Sequence, residues 1–531
     1  MLALKHSARD TFFGGKVKGY SALHIQESLR NFVRVELRIT EASLCTWQIP
    51  EVLKIESSKG CTVIAQVPEG QSHHVSVSAD GAPRSTNIRV NAIVVAALGD
   101  SYASGEGNPD QPATYPSKVP SGNDWFTRGP TPTRKARWWD EQCHRSLVSW
   151  PVLAALRLAL QSPHHVIMLL DFACSGATIE NGIFNRQKKT VGLVARSQID
   201  ALRDALCEPQ TGDADQIELT GSTAKVRSCK SPLRKPDALL LAIGGNDVNF
   251  AGVAQGLLVP DTATAIVKQP GLEFIKAVSG SIPLGEFVQN IASVSLGYGK
   301  AIRRIADSAL VSPEDTILIG YANPVVPPGQ NCESARARIR DSNLAFGPLV
   351  KHLAPWPVRW TIRGWVASVS RDEAKTYAEV AYPALVRMQE SASKEAGVTL
   401  IPLTGAEPAF FDRRLMCTDE ADSSAQDDLE PYFFCQQNEC GGRGNRNLGD
   451  WKFESPGRRM VNTINDSLLA QRRWAGTPTN VELESAFSGA MHPTYEAHAI
   501  GADSVFRSLC AAAGRRVSAS AGPMPTFDVC K

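Results

Sequence analysis

Ser101 and His492 have the residue types and settings needed for nucleophilic catalysis. Ser101 stands in "ALGDSYASGE", directly after an apolar run that ends at Leu98, and His492 stands in "AMHPTYEAH", just before a helix-like stretch over 494–508. A histidine that accepts the proton of a serine hydroxyl turns that hydroxyl into a nucleophile. Each residue alone also fits a commoner structural role, a helix N-cap for the serine and a surface loop for the histidine. Together they predict a serine nucleophile with a histidine general base.

Two further apolar runs end in small residues that can hydrogen-bond. The run 165–172 leads into "ACSGAT", which contains Gly176, and the run 237–244 leads into "GNDVNF", which contains Asn246. The backbone N–H groups of Ser101 and Gly176, with the Asn246 side chain, would form an oxyanion hole. A plain turn at Gly176 or a loop cap at Asn246 is the alternative for either residue alone. Three matching strand ends favour the oxyanion hole.

The elements that must position these residues alternate between strands and helices from residue 91 onward. Predicted strands lie at 91–98, 165–172, 237–244, 316–322 and 398–403, and predicted helices at 149–160, 194–206, 297–310 and 378–397. Continuous apolar strands are typical of parallel sheets covered on both faces. The fold class is therefore α/β, a three-layer αβα arrangement with a parallel five-stranded sheet. Its ligand site should lie beyond the carboxyl ends of the strands.

The domain organisation follows from a change near residue 90, where a series of predicted strands gives way to alternating strands and helices. Residues 1–90 contain alternating strands (32–40, 61–67, 73–81) and predict a small β-rich accessory domain with a packing or binding role. Residues 91–531 form the predicted catalytic domain. Three long irregular segments interrupt it, at about 104–140, 323–370 and 407–485. Loops of this length are usually functional or disordered, and their tryptophans argue against simple disorder.

With these motifs in place, the chain resembles the SGNH hydrolases, also called the GDSL esterase/lipase family. The four family blocks occur in order over roughly residues 91–510: GDS at 99–101, the glycine of CSGAT at 174–178, GGND at 244–247 and HP at 492–493. ACSGAT and CHRS (143–146) are similar to the secreted bacterial branch. The resemblance implies Ser101 as nucleophile, His492 as base, and Ser101, Gly176 and Asn246 as the oxyanion hole. It implies no metal and no organic cofactor.

The chain departs from the family at Gly489, where an aspartate usually precedes the histidine as D-x-x-H-P. A main-chain carbonyl that accepts the Nδ1–H of the imidazole fixes its tautomer as an aspartate would. We therefore expect a Ser101–His492 dyad oriented by the Gly489 carbonyl. Other acids could take the aspartate's place, without a spacing argument for any of them: Glu484, Glu496 and Asp503. The remaining polar residues of the four blocks are expected to be structural, His498 by packing on its helix and Asp100 and Asp247 by bracing their turns.

Composition excludes several classes of protein. The net charge of +2 comes without a basic block, so nucleic acid is not an expected partner. No apolar window is long enough for a transmembrane segment, and the N-terminus lacks the apolar region of a signal peptide. The 12 cysteines nonetheless indicate disulfides and an extracytoplasmic location, secreted or periplasmic. Cysteines that flank single loops are Cys45/Cys61, Cys207/Cys229, Cys435/Cys440 and Cys510/Cys530, although their connectivity cannot be deduced from sequence.

The leading functional hypothesis is hydrolysis of carboxylic esters, as an esterase or lipase, with a small-molecule, glycan or lipid ester as the substrate. A carbohydrate O-acyl esterase, an acyltransferase or a phospholipase would use the same site. Nine of the ten tryptophans lie in the predicted catalytic domain, and their planar faces suit sugar rings, although tryptophan is also a common core residue. A non-catalytic binding protein is a further alternative, which the intact Ser, Gly, Asn and His set opposes. The sequence leaves the oligomeric state open.

Overall fold

The computed structural model describes residues 32–50, 52–115, 132–161, 165–188, 194–208, 214–258, 282–325, 371–403, 415, 460–473 and 488–519. Its strands in chain order are β1 (Phe32–Arg38), β2 (Leu44–Ile49), β3 (Leu53–Lys59), β4 (Thr62–Pro68), β5 (Ser72–Ala79), β6 (Ala82–Arg89), β7 (Asn91–Gly99), β8 (His165–Asp171), β9 (Gln187–Lys188), β10 (Val194–Ala195), β11 (Ala214–Leu219), β12 (Ser222–Arg227), β13 (Ala238–Ala242), β14 (Thr316–Ile319) and β15 (Thr399–Ile401). Its helices are α1 (Ser101–Ser104), α2 (Trp150–Gln161), α3 (Gln198–Leu206), α4 (Phe250–Leu258), α5 (Leu284–Ser308), α6 (Arg371–Thr376), α7 (Tyr382–Ala396), α8 (Ile464–Gln471) and α9 (Tyr495–Ala519).

A parallel five-stranded sheet forms the centre of the molecule and confirms the predicted fold class. The strand order is β15-β14-β13-β7-β8, so β7 and β13 lie side by side near the middle. Every residue of β7 and of β13 is buried, as expected for strands covered on both faces. Helices α2 and α9 pack together against the sheet, and α5 and α7 form a second packed pair. All five predicted strands are present.

The predicted helices are also present, with shifted ends. The helix predicted from residue 194 begins at Gln198, because the Ser197 hydroxyl caps it by accepting the Asp200 N–H. Its predecessors Val194 and Ala195 pair as strand β10 instead. Gly397 ends α7 with a φ of 71°, a left-handed conformation that glycine adopts without strain.

Residues 32–89 form two antiparallel sheets around a separate apolar core. Strand β1 pairs with β4, and the order β3-β2-β5-β6 makes the second sheet. Strands β2, β4 and β5 alternate buried and exposed residues, which is the pattern of a sheet with one face on a core and one in water. Strands β2, β3 and β6 were not predicted. The domain boundary at residue 90 remains a prediction.

The β-rich region contacts the central sheet through a buried ion pair. Arg234, on the approach to β13, pairs with Glu69 between β4 and β5, and both side chains are 6% exposed. The same guanidinium donates to the Ala92 carbonyl and to Asp237. Val166 and Met168 of β8 pack against the core of the β-rich region. Residues on both sides of the junction are therefore buried by one another.

Three disulfides lie within the described residues. Disulfides are therefore present as predicted, and Cys45–Cys61 and Cys207–Cys229 each join two cysteines that flank one loop. Cys143–Cys174 was not predicted as a pair, and it ties the CHRS segment to the CSGAT segment. Cys510 is also disulfide-bonded, whereas Cys435, Cys440 and Cys530 lie outside the described residues. None of the helices in the described ranges is long and apolar enough to cross a membrane.

The long segment 407–485, predicted as irregular, contains a helix. Residues 464–471 form helix α8, and Thr463 and Asp466 close a reciprocal capping box at its start. The side chains of Leu468 and Leu469 are buried in the main core. The T-x-x-D pattern before an apolar run is a recognised start signal for a helix, so the sequence did contain this element.

Candidate active site

Ser101 is the first residue of α1, at the carboxyl end of β7. Asp100 caps this short helix, its side chain accepting the Tyr102 N–H at 3.0 Å. Gly99 makes the turn with a φ of 147°, and a Cβ there would lie 2.2 Å from the Ala242 carbonyl oxygen of β13. Only glycine allows the two strands to approach this closely at the point where the serine emerges.

His492 lies beside Ser101, so the fold brings together the residues predicted as base and nucleophile. The imidazole Nε2 is 2.7 Å from the Ser101 Oγ. The Nδ1 lies 3.1 Å from the carbonyl oxygen of Ala490. A carbonyl can only accept, so Nδ1 carries the proton and Nε2 is left to accept the serine proton. The prediction of the Gly489 carbonyl was therefore wrong by one residue; that oxygen accepts the His492 backbone N–H at 3.2 Å instead.

The backbone at Gly489 leaves no room for the family's aspartate. A Cβ at this position would lie 2.6 Å from the Gly107 Cα, 2.7 Å from the Gln471 Nε2 and 2.8 Å from the Ser467 Oγ. These distances are shorter than any ordinary van der Waals contact. The missing carboxylate is thus a consequence of how closely the histidine loop packs against the nucleophile loop.

Residues 460–471 hold the histidine loop from the other side. The Asn462 N–H donates to the His492 carbonyl, and the Met491 N–H donates to the Asn462 carbonyl, both at 2.9 Å. The Gly489 N–H donates to the hydroxyl of Ser467 in α8. Sequence reasoning missed this support because it treated the whole segment 407–485 as irregular.

Gly176 lies in a turn next to the carboxyl end of β7, with a φ of 77°. The turn is fixed there because the Cys174 N–H donates to the Gly99 carbonyl at 3.0 Å. No acceptor for the N–H of Gly176 or of Ser101 lies within the described part of the chain. Both groups are therefore available to an incoming oxygen.

Asn246 is bonded to the same turn. Its Nδ2 donates to the Ala177 carbonyl at 2.9 Å, which uses one of the two amide hydrogens and leaves the other for a ligand. Asp247 accepts the Ile179 N–H at 3.1 Å, so two hydrogen bonds join the GGND segment to the CSGAT segment. Asp247 thus braces its own turn, as predicted, and the neighbouring turn as well. Burial raises the pKa of Asp247 to about 6.

Asp100 also connects two elements. Its second oxygen accepts the Tyr321 hydroxyl, and the Tyr321 oxygen in turn accepts the Gly245 N–H at 2.8 Å. Burial is the main cause that raises the pKa of Asp100 to about 7. The chain of bonds from Asp100 to Gly245 holds the GDS and GGND segments in register at the sheet edge.

Among the described residues, the acids considered as replacements for the aspartate make no hydrogen bond to the imidazole. Asp503 pairs with Arg157 at the surface, and its side chain is 66% exposed. Glu496 lies in the first turn of α9, and Glu484 lies outside the described residues. His498 belongs to α9 and is buried. Burial lowers its pKa to about 3, so this histidine is neutral.

Glu106 is the acid that sequence reasoning missed. It follows Ser101 by five residues, in the same "GDSYASGE" stretch, and it is fully buried. Its carboxylate accepts hydrogen bonds from Ser488 at 2.6 Å and from the His144 Nδ1 at 2.8 Å. Burial lowers the pKa of His492 below its ordinary 6.5. The negative charge of Glu106 opposes this effect by raising that pKa, but burial is the larger of the two. The sequence did contain a signal, because Glu106 is a charged residue among the small residues that follow Ser101.

The tryptophans that could bind a sugar ring are mostly core residues where the structure describes them. Trp47, Trp138 and Trp150 are between 2% and 6% exposed. Trp138 stacks on the His144 ring, with centroids 4.7 Å apart. Six others lie outside the described residues: Trp125, Trp356, Trp360, Trp365, Trp451 and Trp474. Within the described ranges, no three His, Cys, Asp or Glu side chains form a group that could hold a metal ion.

No protein-family model and no curated protein matches the chain. Solved structures that resemble it include a phospholipase A1 from Streptomyces albidoflavus NA297, with 16% identity, coverage of 58% of this chain and 78% of that chain, and a TM-score of 0.25. A carbohydrate acetylesterase from Xanthomonas citri matches at 9% identity over 69% and 72% of the two chains, with a TM-score of 0.19. A family two carbohydrate esterase from Clostridium thermocellum matches at 10% identity over 55% and 68%, with a TM-score of 0.18.

Identities and TM-scores this low carry no argument about activity. What the fold and the site define is a three-layer α/β protein with a serine and a histidine in hydrogen-bond contact at the carboxyl edge of the sheet. In its four sequence blocks, the chain resembles the SGNH hydrolases.

Proposed function

We propose that this protein hydrolyses carboxylic esters through an acyl-enzyme on Ser101. The observation that carries the proposal is the 2.7 Å contact between the Ser101 Oγ and the His492 Nε2, with Nδ1 held by the Ala490 carbonyl. A serine, a base in hydrogen-bond reach and a group that orients the base are the three parts of an activated nucleophile.

In the acylation step, the Ser101 Oγ attacks the ester carbonyl while His492 takes the hydroxyl proton. The carbonyl oxygen becomes an oxyanion, which the N–H groups of Ser101 and Gly176 and the second amide hydrogen of Asn246 stabilise. The intermediate collapses, and His492 gives its proton to the leaving alcohol. Water then repeats the attack on the acyl-enzyme, His492 again acts as base and acid, and the free carboxylic acid leaves.

The buried surroundings of the dyad support this role. Burial lowers the pKa of His492, so the imidazole is neutral and able to accept a proton at neutral pH. The disulfide Cys143–Cys174 fixes the turn that contains Gly176. Preorganised donors stabilise a developing charge without reorganising at the moment of reaction. The disulfides favour a site of action in an oxidising, extracytoplasmic compartment.

The test is an acyl-chain-length series of p-nitrophenyl esters run beside acetylated sugars, with wild type and Ser101→Ala. Wild type should hydrolyse at least one series, and a serine-reactive phosphonate should label it at Ser101. Ser101→Ala should keep its fold and lose both turnover and label. Turnover by Ser101→Ala near the wild-type rate would contradict the proposal.

The same experiment separates the possible substrate classes. A preference for long acyl chains supports a lipase or phospholipase, and a preference for acetylated sugars supports a carbohydrate esterase. Adding an alcohol acceptor and analysing the products distinguishes hydrolysis from acyl transfer. Binding without turnover or labelling would indicate a non-catalytic binding protein.

A further inference from the structure

Glu106 joins the three loops that surround the dyad. Its backbone N–H donates to the Ser101 carbonyl at 3.1 Å, which places it against the nucleophile turn. Its carboxylate accepts from Ser488 in the histidine loop and from His144 in the CHRS loop. The Ser488 partner lies two residues before Ala490, whose carbonyl orients the imidazole. A fully buried carboxylate is thus bonded to the segments that carry the nucleophile and its base.

This carboxylate is ionised. Burial alone would raise the pKa of Glu106, because a buried charge loses its hydration. The charge and hydrogen bond of His144 oppose that effect, with further contributions from His492 and Ser175. Together they lower the pKa of Glu106 to about 2. The lowered pKa favours the ionised form of this carboxylate.

His144, which donates to this carboxylate, has an uncommon backbone conformation. His144 has a φ of 48°, which is uncommon for a residue with a side chain. The disulfide at Cys143 anchors it, and its ring lies flat against Trp138 at an interplanar angle of 3°. Residues in sparsely populated backbone conformations are frequent at functional sites, where the surrounding structure holds them in place.

The groups that face His492 come from three elements. Tyr102 of α1 packs against the imidazole with ring centroids 5.3 Å apart, and burial keeps its pKa far above the ordinary value, so it is neutral. His498 of α9 is neutral as well, with a pKa lowered to about 3. Within the described residues, Glu106 is the one charged group that acts on the pKa of His492.

On the basis of the proposed function, we propose that Glu106 is a positioning residue of the reaction, whose carboxylate supplies to His492 the negative charge that a triad aspartate supplies elsewhere. The Ala490 carbonyl fixes the tautomer, and Glu106 stabilises the imidazolium. The two roles of the usual aspartate are thus divided between a main-chain oxygen and a glutamate on the nucleophile loop. Glu106 takes up no proton, because the proton passes only from Ser101 to His492 and on to the leaving alcohol.

The primary test is Glu106→Gln, which keeps the shape of the side chain and removes its charge. Without the charge, the imidazolium is less stable, so the acid limb of the kcat/KM profile should move to lower pH by about one unit, the low end of what a nearby charge produces. The plateau kcat should fall about tenfold, the equivalent of that shift, with KM unchanged. An acid limb at the wild-type position would overturn the proposal.

Asp110→Asn is the matched control. Asp110 is a half-buried carboxylate four residues along the same loop, and it accepts from the Leu147 N–H at 2.6 Å and from Ser146 and Trp139. The chemical change is the same, but the lost hydrogen bonds are with the 139–147 segment. Its acid limb should stay at the wild-type pH, and a shift equal to that of Glu106→Gln would also overturn the proposal.

A purely structural role for Glu106 is tested by variants that keep the charge. Ser488→Ala removes the link to the histidine loop, and Glu106→Asp withdraws the carboxylate by one methylene. Both should keep the wild-type acid limb and a kcat within about threefold of wild type, a loss of about 0.6 kcal/mol or less. If either loses tenfold or more in kcat with its acid limb unmoved, Glu106 acts by tethering the loops and the charge proposal fails. These two variants decide the question even if Glu106→Gln does not fold.

Failure of this inference can be told apart from failure of the proposed function. If wild type hydrolyses no ester and Ser101 takes no phosphonate label, ester hydrolysis itself is refuted. If wild type is active and labelled while the acid limb of folded Glu106→Gln matches it, only the role of Glu106 is refuted.

Discussion

Replacing Gly489 with aspartate restores the family's D-x-x-H-P sequence, and the structure predicts that this change damages the protein. A Cβ at this position meets a backbone carbon at 2.6 Å and two buried side chains at 2.7 and 2.8 Å. Overpacking of this kind costs about 1–3 kcal/mol. The aspartate also takes a charge out of water, which costs several kcal/mol more. We expect Gly489→Ala to lower the free energy of unfolding by about 2 kcal/mol and Gly489→Asp by about 4 kcal/mol or more.

The loss of activity follows from the same contacts. The loop 488–492 must move to admit the new atoms, and with it moves the His492 Nε2 that now lies 2.7 Å from the Ser101 Oγ. A displacement of about 1 Å in a catalytic group can cost about 10²-fold in rate. Both variants should therefore lose kcat by roughly that factor.

Urea denaturation followed by tryptophan fluorescence, with ester hydrolysis on the same samples, measures both effects. Gly514→Ala is the control, because Gly514 lies in α9 with nothing within 4 Å of its added Cβ. It should be neutral or stabilise the protein by about 0.5–1 kcal/mol, the helical advantage of alanine over glycine. If Gly489→Asp retains wild-type stability and gains activity, the steric account of the missing aspartate is wrong.

Three further predictions concern the rest of the site. Asn246→Ala should lower kcat by about 10²–10³, the usual loss for one oxyanion donor, with little change in KM; a change in KM alone would place Asn246 in substrate binding. Because burial lowers the pKa of His492 below 6.5 and the base must be neutral, wild-type kcat/KM should fall toward acid pH with a midpoint below 6.5; a midpoint above that value in a pH–rate profile would contradict the assignment. Replacing Cys143 and Cys174 together with alanine should reduce stability by about 3–4 kcal/mol in chain entropy and reduce kcat more than KM, as calorimetry and kinetics would show, and unchanged kcat would separate this disulfide from the oxyanion turn.

The central sheet could be predicted from sequence because its signals are local. The strand at 91–98 is a continuous apolar run that stops at Gly99, and every residue of β7 is buried on both faces, as such a run implies. The four blocks likewise mark strand ends, so their meeting at one sheet edge follows from parallel topology. The β-rich region was harder, because the side chains of β6 are exposed or half-buried along its length and give no alternation to detect.

The details around His492 depended on long-range packing that no local pattern encodes. The choice of the Ala490 carbonyl over the Gly489 carbonyl is set by the contact of Gly489 with Gly107, residues almost 400 positions apart. Glu106 was passed over because its donors, His144 and Ser488, come from two other segments of the chain. The capping box at Thr463 was a local signal that the polar composition around it obscured.

The Glu69–Arg234 pair bears on how this protein could have been assembled in evolution. Arg234 is 6% exposed on its side chain and holds Glu69, Asp237 and the Ala92 carbonyl at once. Removing the β-rich region would take Glu69 from this guanidinium and would expose to water Val166 and Met168 of β8, which now pack against its core. A gene fragment encoding only residues from 91 onward would therefore yield a less stable protein. Exchange of the β-rich region between proteins by recombination would therefore carry a cost in stability.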